Sequence, residues 1–210
     1  MTSPGGVAAA DERVRQPRGE ARREAILAEA VTLFAAKGFR GTTITELADR
    51  VGMTHPGLLY YFGTKQRLLL DVVRERERRE ASALLSTVGD GPEELGRGLR
   101  AIARFVADDA VRTRLYVVLG AENLDPGDPL HDFFVDRYAR VRDLVASAVR
   151  RSGAIVDADQ LAREVVATLM GLEIQWLMDP SAFDYLTAVD TYADAVERRL
   201  DANDRTSEEH

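Results

Sequence analysis

Apolar residues recur at helical spacing along most of the chain, which predicts amphipathic helices, and no segment reads as a strand. The first apolar stripe lies between Glu20 and Lys37, and Gly38 follows it as a helix C-cap. Residues 1–18 show no sustained apolar face, so we expect a flexible tail there. The pattern as a whole predicts an all-α protein.

Capping residues and glycines divide the next segment into two short helices. Thr42 or Thr43 can cap the second helix of the chain, and Thr54 can cap the third. Gly52 permits the turn between these helices because glycine tolerates a positive φ. Gly63 then ends the third helix.

A long fourth helix is expected to follow, with Thr64 as its N-cap, and it contains the charged run RERERREAS. Such a run is usually a solvated helix face, and we interpret it so. Five more helices are predicted over 92–108, 110–121, 130–151, 157–178 and 182–200. The polar end of the chain, residues 203–210, is expected to fray.

The second and third helices have the features of a helix-turn-helix. Ala48 must be small because the third helix crosses closely over it, while Leu58 and Phe62 point inward. The outer face of the third helix then carries polar and aromatic residues, namely Thr54, His55, Gly57, Tyr60 and Tyr61, with Lys65 just beyond. Thr hydroxyls suit phosphate oxygens, Tyr hydroxyls reach phosphates or base edges, and Lys65 supplies a point charge. This helix can therefore enter a major groove, although the tyrosines could instead simply cover a small core.

Charge is distributed unevenly along the chain. The total is −7, yet residues 13–67 hold ten Lys or Arg against five acids, an excess of +5 that leaves −12 for the remainder. A basic segment on an acidic body fits a local contact with a polyanion. Chance variation of the surface is the alternative.

Composition excludes several kinds of chemistry. The chain has no Cys, and its three His residues are too scattered for a convincing ligand set, so neither a metal site nor a cofactor is expected. No apolar run approaches the roughly 20 residues of a membrane span, and the N-terminus lacks a signal-peptide pattern. We therefore expect a cytoplasmic location.

Seven motifs follow one another between residues 20 and 72. They are Gly38-Phe39, Thr42-Thr43-Ile44, Leu47-Ala48, Val51-Gly52-Met53, the helix from Thr54 to Phe62, Thr64-Lys65 and Leu68-Leu69. Together they resemble the DNA-binding domain of TetR-type transcriptional regulators. The resemblance implies a helix-turn-helix DNA-binding domain over 19–76 and a helical effector-binding and dimerisation domain over 77–202.

The resemblance also implies a function. It predicts a ligand-responsive repressor that binds a near-palindromic DNA operator as a homodimer through its C-terminal helices and is released by a small-molecule effector. The expected DNA-binding residues are Arg22, Thr42, Thr43, Thr54, His55, Pro56, Gly57, Tyr60, Tyr61 and Lys65. Among them Tyr60 and Lys65 are expected at phosphates, and His55 at a base edge.

Effector-contacting residues are expected among the aromatic and unusual polar positions of the later helices. The candidates are Phe105, Tyr116, Phe133, Phe134, Tyr138, Met170, Glu173 and Trp176. For each of them plain core is favoured over ligand contact, because aromatic and Met residues at helical spacing occupy interiors by default. Glu173 is the more unusual member, since a buried carboxylate needs a partner.

The sequence offers two alternative functions. His131 with Asp132 and Asp136 could serve a hydrolytic or metal-dependent enzyme, but no nucleophile arrangement, phosphate loop or metal motif accompanies them. A protein-interaction adaptor could use the acidic helices as a docking surface without binding DNA. The pattern of the third helix makes both unnecessary, and no enzymatic activity is expected.

Overall fold

The structure, a computed structural model, describes residues 7–85 and 92–204. Over those ranges it is all-α, with nine helices and no strand, which confirms the predicted fold class. The helices are α1 (Val7–Gly41), α2 (Ile44–Arg50), α3 (His55–Phe62), α4 (Lys65–Leu85), α5 (Pro92–Asp108), α6 (Ala110–Glu122), α7 (His131–Arg151), α8 (Ala158–Met178) and α9 (Tyr185–Asp204). The chain divides into two compact units after Arg74.

The first helix is longer than the apolar pattern predicts. α1 begins at Val7 rather than at Glu20, so residues 7–18 of the expected tail are helical. Alanine has the highest helix propensity, and the run of Ala before residue 11 favours a helix whether or not an apolar face is present. Residues 203–204 of the end expected to fray are the last residues of α9, whereas 205–210 and the rest of the N-terminal tail lie outside the described residues.

Three threonine caps set the starts of the helices in the first unit. The Thr43 hydroxyl accepts a hydrogen bond from the Glu46 amide at 3.1 Å, which decides between the two candidate caps of α2. Thr54 accepts from the Gly57 amide at 3.2 Å and so caps α3. Thr64 accepts from the Arg67 amide at 3.1 Å at the start of α4. Each cap satisfies an amide that has no partner within its own helix.

The inner face of α3 is fixed by burial against α1 and α2. Leu58 and Phe62 are buried, as are Leu47 and Ala48 of α2. The Met53 amide donates to the Ala48 carbonyl at 2.8 Å, which closes the turn between α2 and α3. These are the contacts that a helix-turn-helix requires.

In the second unit α5 packs along α9, and α7 packs along α8. Their shared core includes Leu99, Val106, Val145, Val149, Leu161, Val165, Val189, Val196 and Leu200. Because α9 turns its main apolar stripe into this core, a homodimer contact through α9 has to use its other faces. Within the described chain, no helix combines the length and apolarity that a bilayer crossing requires.

One arginine fastens α5 to α9 at the edge of that core. Arg100 donates to Asp190 at 2.5 Å and to Glu197 at 2.8 Å, and it also pairs with Asp194. The three acids lie on one face of α9, and they hold the pKa of Arg100 above its ordinary range through hydrogen bonds to Glu197 and Asp190. The acids of α9 are therefore partly structural.

The turn before α3 gives a test that separates backbone conformation from packing. Gly52 has φ +63°, and a Cβ added there would meet nothing within 4 Å. Gly52→Ala should therefore lower the free energy of unfolding by about 1–2 kcal/mol through the left-handed backbone alone. The measurement is urea denaturation followed by circular dichroism.

Gly19→Ala is the matched control in the same unit. Gly19 lies inside α1 without a positive φ, and its added Cβ would also meet nothing within 4 Å. The same chemical change should raise stability there by about 0.5–1 kcal/mol. Equal effects of the two substitutions would contradict the conformational explanation.

Candidate DNA-binding surface and ligand cavity

The outer face of α3 lies open to solvent while its inner face is buried. Tyr60 is 89 % exposed and Tyr61 is 36 % exposed, with their rings 6.0 Å apart in a T-shaped arrangement. His55 and Pro56 are also exposed. The tyrosines do not fill the core of the first unit, because Leu58 and Phe62 occupy that position. A partner can therefore reach both tyrosines.

Two of the three capping threonines lie on this surface and keep a donor for an outside partner. Thr43 and Thr54 are exposed, and each hydroxyl already accepts one amide hydrogen bond within the chain. A hydroxyl has one O–H to donate and two lone pairs, so capping leaves the O–H available. Gly57 supports this arrangement, since a Cβ there would lie 3.1 Å from the Thr54 hydroxyl.

His55 and Lys65 are positioned by neighbours within the first unit. The Nδ1 atom of His55 lies 3.3 Å from the Thr45 hydroxyl, and Nε2 has no hydrogen-bond partner among the described residues. The Lys65 ammonium lies 4.2 Å from the centre of the Phe39 ring, a cation–π contact that orients it beside the end of α3. Both side chains are thus held at the surface.

Two of the expected DNA-binding residues have a structural part in the fold. Thr42 is 2 % exposed, and its hydroxyl donates to the Gly38 carbonyl at 2.9 Å, so its side chain is enclosed within the first unit. Arg22 is half-buried and donates to the Val51 carbonyl at 2.7 Å. Arg22 thereby holds the turn between α2 and α3 from the side of α1.

Sequence reasoning missed two arginines beside this surface. Arg67 and Arg74 are exposed and line a shallow depression together with Tyr60 and Tyr61. Spacing on α4 could have found both, because positions 67 and 74 are seven apart and so lie on the same side of a helix. They extend the positive surface along α4.

The second unit contains a cavity of about 670 Å³ bounded by α4, α5, α6, α7 and α8. Most of its wall is aliphatic, including Leu99, Ile102, Val141, Leu144, Val166 and Leu169. Its volume lies within the range of small-molecule sites. The cavity is therefore large enough for a ligand of ordinary drug-like size.

Four of the eight expected effector residues line this cavity, and four do not. Tyr116, Tyr138, Met170 and Glu173 form part of its wall. The other four are Phe105, which lies beneath the Arg76 guanidinium, Phe133 and Phe134, which pack edge to face, and Trp176, which stacks on Tyr185 at 5.2 Å. In the structure those four side chains pack against neighbouring side chains.

The interpretation of the charged run as a fully solvated face is wrong. Arg76 is only 3 % exposed and faces the cavity, with its guanidinium 4.6 Å from the centre of the Tyr116 ring and 3.4 Å from the Thr113 hydroxyl. Glu80 also lines the cavity and accepts from Arg137 of α7 at 2.8 Å. One side of α4 therefore carries charges into the interior.

Glu173 also lines the cavity, close enough to Arg76 and Glu80 for their charges to act on it, and we call the part of the wall formed by these residues the polar end. Burial raises the pKa of the Glu173 carboxyl to about 7, and the negative charge of Glu80 also raises it. The positive charges of Arg76 and Arg137 act in the opposite direction and lower this pKa. No hydrogen bond to Glu173 occurs among the described residues. Burial likewise raises the pKa of the Tyr138 hydroxyl.

The residues considered for an enzyme do not form a reactive cluster. The His131 Nδ1 atom lies 3.3 Å from the Asn123 carbonyl, at the junction that closes the loop before α7. Asp132 and Asp136 are exposed. In the part of the chain that the structure describes, no three His, Asp or Glu side chains are grouped to hold a metal ion.

Glu173→Gln should raise the free energy of unfolding at pH 8 by about 1–3 kcal/mol. The folded pKa of about 7 lies above the ordinary value of 4.5, so stability is lost as pH rises through that window, and Gln removes the loss. At pH 4.5 the substitution should change little. Urea denaturation at both pH values tests this, with the exposed Asp143→Asn on α7 as the control; an equal effect at both pH values would contradict it.

Comparison with known proteins agrees with the geometry of the first unit. Residues 26–72 match the family model described as bacterial regulatory proteins, tetR family. The chain is 30 % identical over 150 residues to the transcriptional repressor NicS of Pseudomonas putida. This match covers 70 % of this chain and 67 % of NicS. It is 38 % identical over 55 residues to the regulator RutR of Escherichia coli K12, a match that covers 26 % of each chain.

Comparison with solved structures extends the likeness to the fold of both units. The crystal structure of AibR in complex with isovaleryl coenzyme A and operator DNA has a TM-score of 0.66 and 21 % identity, over 85 % of this chain and 97 % of AibR. That likeness concerns the fold. Since NicS is matched over two thirds of its length and the helix-turn-helix carries the family signature, the chain belongs to the TetR family of transcriptional regulators.

Proposed function

We propose that this regulator is a repressor that inserts α3 into the major groove of a near-palindromic operator and releases it when a small molecule occupies the cavity. The observation that carries the proposal is the division of α3, with Leu58 and Phe62 buried and Tyr60 exposed to solvent. NicS is named as a repressor, and AibR was solved with an acyl coenzyme A and operator DNA. The regulator would bind this operator in the cytoplasm.

On DNA, the side chains of this surface take two roles. Tyr60, Lys65 and the Thr43 and Thr54 hydroxyls contact phosphate oxygens, which fixes the position of α3 without reading sequence. His55 stands at the N-terminal end of α3, where residues of a recognition helix meet base edges. Its Nε2 atom is the group offered to a base.

A homodimer would present two copies of α3 to one face of the duplex. Half-sites would then lie about 34–36 Å apart, one turn of DNA, and the operator would share the twofold symmetry of the protein. The exposed faces of α8 and α9 are the proposed contact, since the apolar stripe of α9 is already buried against α5.

The coupling between ligand and DNA would run along α4. This helix begins at Lys65 and carries Arg76 and Glu80 into the cavity wall. A ligand that binds one position of α4 better than another shifts the population toward that position, and by no more than its difference in affinity. Moving α4 would change the spacing of the two recognition helices and so weaken operator binding.

Lys65→Ala should weaken binding to specific and random DNA alike. Loss of one phosphate contact per subunit should also reduce the slope of log K against log salt by about 1 per subunit. Mobility shifts on the region upstream of its own gene, across a salt series, measure both quantities. Arg104→Ala, an exposed cation of the second unit, is the control and should change neither.

His55→Ala should change base preference and leave the salt slope unaltered. Its loss should cost about 1–3 kcal/mol at one position of each half-site and relax discrimination there. Selection from a pool of randomised half-sites, sequenced for both proteins, gives the preference at every position. An unchanged preference would remove His55 from the base-reading role.

A further inference from the structure

The polar end of the cavity contains a cation that has no anionic partner among the described residues. Arg76 meets the Thr113 hydroxyl through both terminal nitrogens at 3.4 Å, and its Nε atom has no hydrogen-bond partner in the described chain. Among the described residues, no carboxylate forms an ion pair with it. An arginine cannot lose its charge in a protein, so Arg76 remains positive although almost wholly buried.

Two arginines of α7 are already paired with acids of α4. Arg137 donates to Glu80 at 2.8 Å and to Glu77 at 3.4 Å, and Glu77 also accepts from Arg140 at 2.8 Å. Glu80 therefore acts on Arg76 through electrostatic attraction, without a hydrogen bond between the two side chains. These three arginines and two glutamates together carry one net positive charge, which stays unbalanced whenever Glu173 is protonated.

Two hydrogen-bonding groups stand in the same wall. Glu173 and the Tyr138 hydroxyl both line the cavity, and neither has a hydrogen-bond partner in the described part of the chain. The Tyr138 oxygen lies opposite Gly120, where an added Cβ would approach it to 3.6 Å. A protonated Glu173 and Tyr138 can each donate one hydrogen bond to a bound oxygen atom.

The rest of the cavity wall is mostly aliphatic, although it also includes Glu94 and Arg151, and it extends along two helices. Its wall follows α5 from Leu95 to Val106 and α7 from Arg137 to Arg151. At the rise of a helix these spans are about 16 Å and about 21 Å long. An extended aliphatic chain would therefore lie along α5 and α7, with its head at Arg76.

We propose that the cavity binds an elongated amphipathic carboxylic acid whose carboxylate pairs with Arg76 and accepts hydrogen bonds from Glu173 and Tyr138. The proposal rests on the effector role given above and specifies the ligand class. Charge complementarity favours an anion over a cation here, because the buried guanidinium of Arg76 forms no ion pair with a carboxylate of the described residues. A carboxylate would also give the buried Nε atom of Arg76 the acceptor that it lacks.

The test compares three ligands of equal chain length on the full protein. Isothermal titration calorimetry at pH 6 measures the affinity for decanoate, 1-decanol and decylamine. Decanoate should bind about 10- to 100-fold more tightly than decanol, which is the effect of a charge-assisted hydrogen bond, and decylamine should bind least. Equal affinities for decanoate and decanol would overturn the proposal. So would a higher affinity for decylamine than for decanoate, which an ion pair between the amine and Glu173 would give.

Variants then assign the effect to the polar end. Arg76→Met should reduce decanoate affinity by the same factor and leave decanol within twofold, whereas Glu173→Gln, which keeps a donor, should retain decanoate binding. Arg104→Met is the control. If Arg76→Met fails to fold, the comparison of the three ligands on the unaltered protein still decides.

A mobility shift with the same ligands separates this proposal from the effector role. Decanoate that binds as expected without changing operator affinity would support the ligand class and contradict release by this ligand. Release of operator by a cationic or neutral amphiphile, with no preference for decanoate in calorimetry, would support the effector role and overturn the ligand class.

Discussion

Burial of two side chains on an eight-residue helix is the contact on which the regulator depends. An isolated helix as short as α3 would not persist in water, so its existence relies on packing. Leu58 and Phe62 provide that packing, and the Thr54 cap and the left-handed Gly52 fix where the helix starts and how it is approached. Because the inner face supplies the apolar packing, Tyr60 on the outer face is not needed for the core and can take part in a contact with DNA.

The periodicity of apolar residues predicts most of this architecture. Helices α5 to α8 begin and end within about a residue of the predicted limits, since packing and capping act at fixed spacings that the sequence displays. Adjacent Thr42 and Thr43 could not be told apart, because only the chain path shows that the first is enclosed and the second caps. Apolar periodicity does not predict the early start of α1, because a helix that forms through the propensity of its residues alone has no apolar stripe.

Arg76 shows why the ligand cavity was harder to predict than the fold. A run of alternating charges is usually solvated, and nothing in its spacing tells which side of α4 faces an internal space. The tertiary arrangement decides, by bringing Phe105 and Tyr116 under the guanidinium. Ring faces attract a desolvated cation but do not replace an anion. Arg76 therefore places a buried positive charge in the cavity wall, which aliphatic side chains alone would not provide.

Trp176 is the only tryptophan of the chain, and it stacks on Tyr185 where α8 meets the start of α9. It lies three positions beyond Glu173, nearly one helical turn along α8. Intrinsic fluorescence excited at the indole band therefore originates from a single place, at the boundary of these two helices. The emission spectrum of the unlabelled protein is an optical reporter of that boundary.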